Sequence, residues 1–83
     1  MDITEARKLI SEAIDRGDDP KSVISLVQET SWQCRDTISM DSFFKEIRDL
    51  TNKWKTMHTY EVLRKAFDEV KAESHLRALQ NTL

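Results

Sequence analysis

Residues 60–83 read YEVLRKAFDEVKAESHLRALQNTL. Tyr60, Leu63, Ala66, Phe67 and Val70 recur at steps of three and four and share one helix face. Ala72, Leu76, Leu79 and Leu83 also cluster, but at about 100° per residue their centre lies roughly 170° from the first set. No Gly or Pro stands in this stretch. Residue propensity therefore predicts one long helix whose apolar side turns over beyond Val70. A break and fold-back near Lys71 to Ser74, or fraying of a terminal segment, are the competing readings. On the first reading, Ala72, Leu76, Leu79 and Leu83 face away from their own domain and are the candidate partner-binding residues.

Upstream, Met40, Phe43, Ile47, Leu50, Trp54 and Met57 form an apolar stripe, with Phe44 at its edge and Glu46, Arg48, Asp49 and Lys53 pointing away. Ser39 suits an N-cap, Asp41 complements the positive helix end, and Ile38 and Phe43 have the spacing of a hydrophobic staple. One helix is expected from Ser39 to between Trp54 and Thr59. Thr56 to Thr59 supply the cap of the next.

The N-terminal part is punctuated clearly. Asp2 and Glu5 stand at capping-box spacing ahead of Ile3, Ala6, Leu9, Ile10, Ala13 and Ile14, which repeat along one face. Gly17, the only glycine, suits the left-handed stop after Arg16. Asp19-Pro20 reads as N-cap and first helical residue of a second helix. That helix holds Val23, Ile24, Leu26 and Val27 and is expected to end near Glu29 to Ser31. Thr30 to Ile38, with Trp32 and Cys34 among polar residues, reads as a loop with at most one helical turn. The core expected from these patterns comprises Ile3, Ala6, Leu9, Ile10, Ala13, Ile14, Val23, Val27, Phe43, Ile47, Leu50, Trp54, Leu63, Phe67 and Val70.

Residues 1–83 thus make a single all-α domain, a small bundle of three or four helices with a long C-terminal helix. Composition agrees. With one Gly, one Pro and one Cys in 83 residues, there are too few turn residues for a β-sandwich and too few thiols for a disulfide framework. No apolar run approaches the roughly 20 residues of a membrane span, so no membrane role is expected. The acidic, helix-patterned start does not read as a signal peptide, and a lone thiol suits a reducing compartment. A cytoplasmic location follows as an expectation.

Chemistry finds little to work with. Cys34, His58 and His75 lack the close spacing of structural metal sites. Asp15, Asp18 and Asp19 around Gly17 lack the alternating ligands and terminal Glu of a calcium loop. No cofactor is expected, and neither is catalysis, because a glycine-rich phosphate loop is impossible and a four-helix core leaves little volume for a pocket. Charge is uneven: residues 1–44 carry five basic and nine acidic side chains, residues 45–83 eight basic and six acidic. A nucleic-acid-binding face built from Lys45, Arg48, Lys53, Lys55, Arg64 and Lys65, with Trp54 and Tyr60 interleaved, is the alternative function. Mild overall acidity and interspersed Glu46, Asp49 and Glu61 weigh against it. The leading expectation is a non-catalytic protein-binding module that occludes or bridges a partner protein. A small antirepressor-like inhibitor of a transcriptional regulator is one concrete form, and a second copy of the chain is one candidate occupant of the leucine face.

Overall fold

The computed structural model describes residues 1–81. They form α1 (Ile3–Asp15), α2 (Pro20–Gln33), α3 (Met40–Glu46), α4 (Arg48–Lys55) and α5 (Tyr60–Asn81). The protein is all-α, with α5 the long C-terminal helix. At about 1.5 Å per residue, 22 residues extend roughly 33 Å. That is most of the molecule's 39 Å long axis.

Local signals set most boundaries. The Asp2 carboxylate accepts from the Glu5 N–H at 2.9 Å and caps α1. At the other end Gly17 has φ +79°. The Gly17 N–H donates to the Ile14 carbonyl and the Asp18 N–H to the Ala13 carbonyl, both at 3.1 Å. This is the paired bonding of a Schellman stop, which satisfies two carbonyls the helix would otherwise orphan. Asp19 occupies the N-cap position of α2 ahead of Pro20, and its carboxylate accepts from the Ser22 hydroxyl at 2.8 Å. The Ser39 hydroxyl accepts from the Ser42 N–H at 3.3 Å and begins α3, and the Thr59 hydroxyl accepts from the Val62 N–H at 3.4 Å and begins α5. Thr56 instead closes α4.

Two boundaries differ from the sequence reading. First, α2 runs on through Gln33, so Thr30 to Gln33 is helix and not loop. The polar residues there satisfy themselves within the helix. The Thr30 hydroxyl donates to the Leu26 and Val27 carbonyls at 2.8 and 3.0 Å, and Ser31 donates to the Gln28 carbonyl at 2.7 Å. Both can then be buried. The Cys34 carbonyl next collects the Thr37 and Ile38 N–H groups, each at 3.0 Å, in a tight turn that buries the cysteine completely. Second, the expected single helix from Ser39 is two helices that meet at Ile47. A side chain distant in sequence meets this junction. Arg7 of α1 donates to the Glu46 carbonyl, the acceptor that a straight helix offers to Leu50, and also grips the Asp49 carboxylate with two bonds of 2.9 and 3.0 Å. Arg7 holds Asp49 below its ordinary pKa.

The core is Ala6, Ile10, Ala13 and Ile14 from α1, Val23 and Ile24 from α2, then Cys34, Phe43, Ile47, Trp54, Leu63, Ala66 and Val70. Ile3, Leu26, Val27, Ile38 and Leu50 pack partly buried against it. Two expected core residues are exposed, Leu9 and Phe67. Each sits at the edge of its helix's apolar arc. About 100° per residue puts Phe67 some 60° from Val70, outside the strip that α2 covers. Tyr60, Met40 and Met57 are exposed for the same kind of reason, lying at the ends or edges of their stripes.

Candidate functional site

Burial on α5 stops at Val70, and every residue from 71 to 80 is exposed. The helix nevertheless continues. Its inward line passes from Leu63, Ala66 and Val70 to Glu73, Ser74 and Arg77, which stay within about 50° of the same direction. There polar groups replace the core. The Lys21 ammonium reaches Glu73 at 2.6 Å and Glu69 at 3.9 Å. The Ser74 hydroxyl donates to the Gln28 side-chain oxygen at 3.0 Å, and Arg77 pairs with Glu29 at 2.7 Å. Lys21 is held above its ordinary pKa, mainly by its bond to Glu73. Both helices advance together along this seam, from Lys21 to Glu29 on α2 and from Glu69 to Arg77 on α5. Such solvent-exposed pairs are weak individually. They fix the direction of the tail without hiding apolar surface.

The apolar side chains take the outward line. Ala72 is exposed, Leu76 is 57% exposed and Leu79 is 52% exposed. Leu83, the fourth member of that face, lies outside the described residues. Trp32, at the end of α2, is also exposed and stacks under the Arg35 guanidinium, 4.3 Å from the ring centre. It borders a hollow of about 460 Å³ with Ser74, Arg77 and Ala78. The polar run around Trp32 gave no sign of this position, which depends on the extra turn of α2.

A second surface lies on the other side of α5. Tyr60, Leu63, Arg64 and Phe67 face Lys55 and His58 across a hollow of about 430 Å³. A smaller one of about 210 Å³ adjoins it, sharing Lys55 and Phe67 and reaching Phe44 and Trp54. Phe44 and Phe67 are 46% and 48% exposed. Trp54 is buried, its ring edge-on to His58 at 5.7 Å, and its indole N–H donates to no acceptor among the described residues. Leaving such a donor unsatisfied costs about 1–3 kcal/mol.

The basic residues do not form one face. Lys55 and Arg64 share the groove. Lys53 is turned to Asp15 at 3.3 Å. Lys45 and Arg48 are exposed on either side of the α3–α4 junction, among Glu46 and Asp49. Lys65 lies about 100° round the helix from Arg64, on the leucine side. Among the described residues no three His, Cys, Asp or Glu side chains are grouped to hold a metal ion, and no helix is long and apolar enough to cross a membrane. Burial pushes the Cys34 thiol up in pKa, away from the reactive thiolate. Compared with known protein families, curated proteins and solved structures, the chain matches none.

Proposed function

We propose that this chain is a non-catalytic protein-binding module that acts by covering or bridging a partner protein through the outward face of α5. One observation carries the reading: past Val70 the inner line of α5 is polar and paired to α2, while Leu76 and Leu79 are turned to solvent at more than half exposure. A helix that places its large apolar residues on the wrong side for its own core has the anchor pattern of helix-mediated recognition. The exposed Trp32 near the same end adds an aromatic of the kind enriched at binding hot spots. Inhibition of a transcriptional regulator by occlusion is one form this takes.

The test is the double variant Leu76→Asp with Leu79→Asp. The wild-type chain and the variant serve as baits in parallel, and proteins retained only by the wild type are purified and titrated directly. Expected is loss of association with an unchanged far-UV helical signal. Loss of helix in the variant places these leucines in the core and ends the proposal, as does equal binding by both baits. Sedimentation of the purified chain separates a second copy from a foreign partner.

A further inference from the structure

We infer that the groove between α4 and α5 is a second docking site, separate from the leucine face, and that its occupant is an acidic amphipathic helix of another protein. Two observations converge on it. The groove is built of two adjoining hollows that share Phe67 and Lys55, with two phenyl rings, Phe44 and Phe67, about half exposed beside them. The smaller hollow, about 210 Å³, falls below the roughly 300–1,000 Å³ of small-molecule sites, whereas the larger, about 430 Å³, lies within that range. Two hollows in succession suit the spaced anchors of a helix laid in a groove.

The charge is chosen by Lys55 and Arg64. Both line the larger hollow, and neither makes an ion pair among the described residues, although the molecule as a whole is acidic. Asp68 is the only carboxylate on the lining and leaves a positive excess. Carboxylates flanking the apolar anchors of an incoming helix meet these two cations; a basic helix is repelled. Phe67 and Leu76 are nine residues apart, about 180° around α5, so the groove and the leucine face are separate surfaces, and a two-fold dimer that covers one leaves the other open.

The experiment pans the full chain against displayed random peptides of roughly 16 residues, about four helical turns. Expected is enrichment of sequences with large apolar residues at helical spacing and an excess of Asp and Glu. Binding of a synthetic enriched peptide falls at least about tenfold with Phe67→Asp, and also with Lys55→Glu combined with Arg64→Glu, whose side chains are exposed in the fold. It is unchanged by Leu76→Asp with Leu79→Asp, which separates this site from the leucine face. In a Trp32→Phe background the emission of Trp54 shifts on binding. Failure to enrich, enrichment of basic peptides, or indifference to the charge reversal overturns the inference. Displacement of the acidic peptide by a single-stranded oligonucleotide that binds more tightly also overturns it and reassigns the groove to nucleic acid.

Discussion

The two halves of α5 share a backbone and differ in what holds them. Up to Val70 the helix is pinned by Leu63, Ala66 and Val70 in the core; beyond it, by Lys21, Gln28 and Glu29 reaching Glu73, Ser74 and Arg77. Burial of a side chain such as Leu or Val contributes about 1.5–3 kcal/mol, far more than an exposed ion pair. The first half therefore anchors the fold, and the second is steered by it. Because polar contacts direct the tail without needing its apolar residues, Leu76 and Leu79 are available to be outside.

The sharpest contrast comes from placing the same charge in each half. Val70→Asp buries an uncompensated carboxylate and is expected to cost about 3–5 kcal/mol, measured by urea denaturation. Leu76→Asp with Leu79→Asp is expected to change stability by no more than about 0.5 kcal/mol per site. Comparable losses for the two would erase the distinction between the halves.

Gly17→Ala gives an intermediate effect on a boundary far from α5. A Cβ there meets nothing within 4 Å, so the cost is that of the left-handed backbone alone, about 1–2 kcal/mol. A smaller effect again is expected from Arg77→Ala. The global midpoint stays within error, while amide exchange quickens beyond Ser74 and remains slow at Leu63 to Val70.

The Arg7–Asp49 contact at the α3–α4 junction supplies a pH-dependent check. Asp49 is shifted down, first by its hydrogen bond from Arg7. A lowered folded pKa stabilises fully above the ordinary carboxylate value near 4 and loses that contribution as pH falls through the lowered value. The stability gap between wild type and an Asp49→Asn variant should thus be larger at neutral pH than near pH 2. A gap that grows on acidification contradicts the assigned pairing.

Much of this was readable from the chain. Asp2, Gly17, Asp19-Pro20 and Ser39 act through bonds spanning only a few residues, so their roles are written locally. The absence of a breaker after Val70 kept α5 whole, and the turnover of its apolar face was visible as a change of phase. What escaped depends on distant partners or on concealed satisfaction. Thr30 and Ser31 look like loop residues until their hydroxyls find carbonyls of their own helix. The break at Ile47 lies where Arg7 of α1 reaches the Glu46 carbonyl, a contact that no local pattern near Glu46 reports. Phe67 carries the correct period and still lies outside the covered strip, because the width of that strip is set by α2. The groove combines Phe44, Lys55 and Phe67 from three helices, and only their tertiary placement makes Lys55 and Arg64 neighbours; that Lys65 falls on the other side of α5 from Arg64 follows from the helix period alone.

The most direct test of the outward turn is methyl NMR with a soluble paramagnetic agent, recorded at two protein concentrations to exclude self-association. Expected are strongly broadened Leu76 and Leu79 methyls, spared Leu63 and Val70 methyls, and helical amide contacts continuing past Arg77. Leu76 and Leu79 methyls as protected as those of Val70 at both concentrations would contradict it.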